Sequence, residues 1–322
     1  MLLGAQEPAA RTQGIRLLDA RFSLPVEMLI LALVLAAWEL GRIPLEGSLR
    51  LALRHSDSWL SVEQALHLRL EPGLIRLAHR ADLLGPARWF YKNGDEPVLF
   101  AFMASAYLRA PCHYPFLRTT YALVHVPGLA VIGLYPLAPP RWVSSLPYGH
   151  PPPAASLTQT TSEWLENSTA SAASLHFGDA VLVAAAVLWL APRPRWAWGL
   201  LPYPAVTFLV IVGTANHYFL DALVGTVCLV LAAAAARALH RETSLVPRLW
   251  RPRRGTVLAA AAGFGLLAYG INASIFTRAE PYRPSIAPAL LLGMLLALIA
   301  TRRTRFEGAA EPWATPWRER HS

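Results

Sequence analysis

The chain has 322 residues, of which 54% are hydrophobic and only 15% charged; that balance excludes an ordinary water-soluble globule and indicates a polytopic membrane protein. Its two cysteines, Cys112 and Cys228, exclude a disulfide framework and a cysteine zinc site. The formal net charge of +9 comes mostly from basic residues between apolar runs that form no known nucleic-acid motif. It therefore reads as membrane topology, with lipids and not nucleic acid as partners.

A spanning helix needs about 20 mainly apolar residues. Residues 1–22, with Arg11, Arg16 and Arg21, form a basic cytoplasmic tail ahead of a first span at 24–40. That span closes on Trp38-Glu39-Leu40-Gly41-Arg42 without an A-x-A cleavage site, so it is expected to stay uncleaved. Residues 42–95 mix charges with Trp59, Val62, Leu66 and Leu70 at helical spacing, and Leu74, Leu77 and Leu84 continue the pattern after a Pro72-Gly73 break. The pattern predicts two amphipathic helices lying at the interface. Their basic residues fall on the outer side, against the positive-inside expectation.

Further spans are predicted at 96–110, 117–139, 177–192, 198–215 and 218–236. The 141–175 loop has no Lys or Arg after Arg141 and reads as outside; the clusters at Arg193 and Arg195 and from Arg237 to Arg254 read as cytoplasmic. Two more spans, 256–276 and 286–301, flank a turn with Arg278 and Arg283. The expected architecture is an all-α membrane bundle of about eight transmembrane helices with both ends inside. It divides into the 1–22 tail, a catalytic domain at 23–240, two additional helices within 241–305 and a C-terminal tail at 306–322. Arginine-rich, alanine-rich and lysine-poor usage points to a high-GC bacterial gene, and the location to the cell membrane.

Chemistry concentrates in three segments. His217 and Asp221 stand four apart on one helical face, an ionisable pair inside apolar sequence. A carboxylate at that spacing can fix the histidine tautomer and leave Nε2 reactive. Ser174-Leu175-His176 and Pro139-Pro140-Arg141 fall, by the same topology, at the same membrane face. A guanidinium, two imidazoles and a carboxylate suit phosphoryl transfer: Arg141 to bind phosphate oxygens, His217 to attack phosphorus, His176 to exchange protons. Two other readings stay open for the pair, a polar brace between helices and a zinc site completed by His176 and Asp179. Arg141 would repel a metal ion there. His125 reads as a satisfied core histidine, Glu27 and Glu39 as helix-end residues, and Glu63, Glu71, His55, His67, His79, His113 and His240 as solvated.

Ala138-Pro139-Pro140-Arg141, Ser174-Leu175-His176 and Asn216-His217-Tyr218-Phe219-Leu220-Asp221 together resemble, over roughly residues 24–236, the type 2 phosphatidic acid phosphatase superfamily. Within it the chain looks most like the branch of inositol phosphorylceramide synthases and their bacterial relatives. The resemblance implies His176, His217 and Asp221 as catalytic residues and Arg141, Ser174 and Asn216 as substrate-binding. It implies a lipid phosphate substrate, a phosphohistidine, and no metal or cofactor. The expected activity is a lipid phosphate phosphatase or phosphotransferase at the outer leaflet. The alternatives are transfer of an inositol-phosphate-type headgroup to a lipid hydroxyl and a non-catalytic transporter or scaffold. Leu134 and Ile211 occupy positions where the broader superfamily carries a lysine and an arginine, Ala173 that of a proline, and Asp179 is an added acid.

Overall fold

The computed structural model describes residues 22–149, 169–190, 199, 202–240, 252–276 and 283–308. Among these the chain forms eleven helices: α1 Leu24–Arg42, α2 Leu49–Ala65, α3 Glu71–Arg80, α4 Leu84–Asn93, α5 Asp95–Arg109, α6 Tyr114–Leu134, α7 Leu175–Leu190, α8 Pro202–Gly213, α9 Phe219–Leu239, α10 Arg254–Phe276 and α11 Arg283–Gly308. Extended pairing among the described residues is limited to one bridge, Leu137 with Ala170. Of the expected 1–22 and 306–322 tails and the 141–175 loop, residues 1–21, 309–322 and 150–168 lie outside the described residues. So do Arg193, Arg195, Arg241, Arg248, Arg251 and Arg278 of the charge clusters. The helix expected to end before Phe306 continues to Gly308.

α1, α6, α9, α10 and α11 are long and apolar enough to cross a membrane. The other three expected spans are shorter helices: α5, α7 and α8 have 15, 16 and 12 residues. At a 1.5 Å rise per residue they reach roughly 18 to 24 Å, against a hydrocarbon core of about 30 Å. α7 begins, and α8 ends, where the chain turns into the site described below.

Polarity is arranged for lipid. Leu29, Leu33, Val230, Leu231, Leu291 and Leu298 point outward from the long helices. Inside, Leu31, Met103, Leu117, Tyr121, Val183 and Ala260 build one core shared by α1, α5, α6, α7 and α10. Glu27, expected at a helix end, is fully buried in an ion pair with Arg118 of α6, at 2.9 and 3.0 Å. His125 is the core histidine expected, its Nδ1 2.8 Å from the Tyr121 carbonyl. His113 and His240 are buried, not solvated, and His240 bonds Thr119 at 2.9 Å.

The amphipathic region holds three helices where the sequence pattern predicts two, because the chain breaks again at Ala81–Leu83. Pro72 sits in the first turn of α3, where its missing N–H costs nothing. Val62, Leu66, Leu70 and Leu77 face outward, while the inner faces carry Ser56, Leu60, Glu63, Glu71 and Ile75. This inversion suits helices lying in the bilayer interface over a polar interior. α3 and α4 pack on α8, and α2 touches α9, so the layer covers one end of the bundle.

Candidate active site

α8 stops at Gly213, and the chain reverses through Thr214–Tyr218 into α9. Ala215 takes a left-handed φ of 57°, which costs an L-residue about 1–2 kcal/mol. The Ile211 carbonyl then accepts from both Asn216 N and His217 N, at 3.1 Å each. This turn sends His217 inward. Its Nδ1 stands 3.1 Å from the Ser171 carbonyl and 3.3 Å from Asp221 Oδ2. A carbonyl can only accept, so Nδ1 carries the proton and Nε2 presents its lone pair. The Tyr91 hydroxyl lies 3.4 Å from that Nε2. Burial, with the Arg141 charge adding to it and the Ser171 carbonyl opposing it, pushes the His217 imidazolium down to about 4, so the ring is neutral near pH 7.

Asp221 is fully buried. Its Oδ2 also accepts from Tyr218 N at 2.9 Å and from Ser171 Oγ at 2.8 Å. Two more acids grip the same helix end. Glu71 Oε1 accepts from Phe219 N and Glu63 Oε1 from Leu220 N, both at 2.8 Å. The expectation of a solvated face for Glu63 and Glu71 is therefore overturned: both are fully buried, because the N–H groups that open α9 need acceptors and the helix end favours negative charge. Burial and the adjacent Glu71 carboxyl push Glu63 up to about 9.

The Arg141 segment joins this loop through its backbone, Arg141 N donating to the Ala215 carbonyl at 3.0 Å. Leu137 bonds Thr169 and Ser171 at 2.8 and 3.2 Å, which ties the same segment to the serine beneath His217. The Arg141 guanidinium lies over Trp142 and donates to Asn216 Oδ1. Asn216 Nδ2 donates to Thr214 Oγ1 at 2.7 Å, so both ends of this amide hold the arginine in place.

His176 opens α7, half-buried, its ring stacked on Tyr91 at 4.6 Å and 6.3 Å from the His217 ring. α7 and α9 cross in near-contact, since a Cβ on Gly225 would lie 2.1 Å from the Ser174 carbonyl oxygen. Ser174 itself is fully buried with Oγ 3.5 Å from Phe177 N, inside this crossing and away from the cavity wall.

His176, His217, Arg141, Asn216, Tyr91 and Ser171 all open onto one cavity of about 790 Å³. Arg42, Arg88 and Lys92 line it as well. Leu134, by contrast, is 84% exposed and Ile211 wholly buried, so the cations around this cavity come from other segments than those two positions. Among the described residues no three His, Cys, Asp or Glu side chains converge as a metal site, which leaves the zinc reading without a ligand set.

A family model described as the PAP2 superfamily matches residues 58–235, more than half of the chain, a range that includes Tyr91, Arg141, Ser171, His176, Asn216, His217 and Asp221. The chain belongs to the PAP2 superfamily, that of the type 2 phosphatidic acid phosphatases. No curated protein and no solved structure matches it. Membership brings phosphatase- or phosphotransferase-type chemistry on lipid phosphates. In this PAP2 chain Tyr91, Ser171, Glu63 and Glu71 escaped sequence reasoning. Tyr91 and the two glutamates sit in amphipathic helices whose composition reads as solvated, and Ser171, which meets His217 with its carbonyl and Asp221 with its hydroxyl, lies in a loop with many serines and threonines.

Proposed function

We propose that the protein transfers the phosphoryl group, or a phosphoryl headgroup, of a lipid-type substrate through a phosphohistidine on His217, at the outer leaflet of the cell membrane and without a metal. The observation that supports this best is the His217 Nε2 lone pair, with Nδ1 engaged by Ser171 and Asp221, opening into the cavity that His176 and Arg141 share. Nε2 attacks phosphorus, a P–N bond forms, and the P–O bond to the leaving alcohol breaks as His176 gives that oxygen its proton. Arg141, steadied by Asn216, takes the charge growing on the phosphoryl oxygens. His176 then accepts a proton from water or an acceptor hydroxyl, whose oxygen displaces Nε2 and restores the free ring.

A cavity of about 790 Å³ exceeds what a bare phosphate needs. That favours, as a second reading, transfer of a whole headgroup such as an inositol phosphate to a lipid hydroxyl. Dependence of turnover on an added lipid alcohol separates the two.

The test uses a substrate with a good leaving group, which needs little protonation. His176→Ala should accumulate an acid-labile, base-stable phosphoprotein, His217→Ala none, and Asp221→Asn should form it slowly. With a poor leaving group His176→Ala should lose about 10²–10⁴-fold in kcat. Label that survives in His217→Ala and vanishes in His176→Ala would reverse the two roles. Full turnover in both alanine variants would show that neither histidine carries the chemistry.

A further inference from the structure

The cavity does not end at the histidines. One turn along α7 from His176, Asp179 lines the same space; it is 8% exposed and its Oδ1 has no hydrogen-bond partner. Asp95, 5% exposed at the start of α5, also lines the cavity and lies near enough for the two carboxylates to act on each other. Tyr203 donates to Asp95 Oδ1, and Glu96 adds a third acid beside them. Among the described residues neither aspartate has an ion-pair partner; Arg42, Arg88 and Lys92 line the cavity as well, and Arg42 is paired with Glu39. Buried acids facing one another outside any ion pair are costly, and the phosphoryl-transfer reading has no task for them.

We propose that this acid-lined end of the cavity binds the ammonium group of a phosphoalkylamine headgroup, between Asp179 and Asp95, while the attached phosphate sits at His217 and Arg141. The proposal rests on the phosphoryl-transfer reading of those residues. Residues three apart on a helix have Cβ atoms about 5–6 Å apart, so His176 and Asp179 are spaced for two groups linked by an oxygen and two carbons. A hydroxyl headgroup could satisfy Asp179 Oδ1 but brings no charge to offset two buried acids; an ammonium satisfies that oxygen and lets both acids stand as carboxylates. Trp38 and Tyr121 line the cavity too and add ring faces that favour an ammonium over a neutral group.

The test compares, on the full-length protein in mixed micelles, three donors with the same diacylglycerol: one with a phosphoethanolamine headgroup, one with its hydroxyl isostere, ethylene glycol phosphate, and one with a bare phosphate monoester. Release of diacylglycerol is measured. The amine donor should exceed its isostere in kcat/KM by about tenfold or more, and Asp179→Asn or Asp95→Asn should each bring that ratio toward one. The wild-type comparison stands even if one variant fails to fold. Equal use of the two isosteres, a ratio unmoved in both variants, or turnover of the monoester alone would overturn the ammonium site and leave phosphoryl transfer intact. No turnover of any donor would overturn both.

Discussion

Gly225→Ala tests how the two histidines are brought together. A Cβ at Gly225 would stand 2.1 Å from the Ser174 carbonyl oxygen and 2.9 Å from its carbon, where ordinary contact begins at 3.4 Å. The difference, 3.4 − 2.1 = 1.3 Å, falls on backbone that cannot rotate away, because that carbonyl already accepts from Gly178 N at 3.1 Å. α7 and α9 must therefore separate by about an ångström, and with them His176 and the Asp221 that holds His217. Overpacking of this kind costs about 1–3 kcal/mol, and a displacement of about 1 Å at a reacting centre costs on the order of 10²-fold in rate. The assay is turnover of a chromogenic phosphate monoester by purified protein, with thermal unfolding in the same detergent. Gly73→Ala, whose Cβ would meet nothing within 4 Å, is the control. Turnover by Gly225→Ala within about twofold of the wild type, with unchanged unfolding, would refute the claim that this crossing sets the histidine geometry.

The other expectations concern charge and topology. Glu63, raised to about 9 in the fold from 4.5, stabilises the protein below 4.5 relative to alkaline pH, and that contribution is lost as pH climbs through 9; Glu63→Gln should flatten this part of the melting-temperature profile, and an unchanged slope counts against the buried acid pair. His217, lowered to about 4, should stay neutral and active as pH falls below 6.5. With a good leaving group the acid limb of kcat/KM should therefore lie nearer 4, and a midpoint at 6.5 would contradict the buried setting. Turnover should persist after exhaustive chelation; loss with chelator and rescue by zinc or magnesium would rule out the metal-free mechanism. In a Cys112- and Cys228-free background, an impermeant thiol reagent applied to intact cells should label a cysteine at Ser156 and spare one at Ser244, and the opposite pattern would invert the topology.

What the sequence determined is what depends on short range. Apolar runs long enough to cross a bilayer announced α1, α6, α9, α10 and α11, since lipid forces a helix to satisfy its own backbone wherever it lies. The four-residue spacing of His217 and Asp221 was legible, but not the reason they meet: His217 precedes Tyr218, the N-cap of α9, so the Thr214–Tyr218 turn and not a shared helical face brings it to Asp221. The arginine distribution was enough to gather Arg141, His176 and His217 at one face, and the structure sets all three on one cavity.

Only the tertiary structure decided the rest. Glu63, Glu71 and Tyr91 sit in segments whose sequence looks like solvated amphipathic helix. The two glutamates are interior because the apolar faces of α2 and α3 turn outward and leave the polar faces for the α9 N-terminus, and Tyr91 reaches the site from α4 by stacking on His176. Ser171 contributes a carbonyl to His217 and a hydroxyl to Asp221, and neither contact is visible before the loop is folded against α9. Asp179 and Asp95 are 84 positions apart (179 − 95) and lie in different helices, so nothing in their local sequence pairs them. Close packing of α7 on α9, made feasible by Gly225, is what turns three short motifs into one site, and packing between distant helices is a property of the folded chain alone.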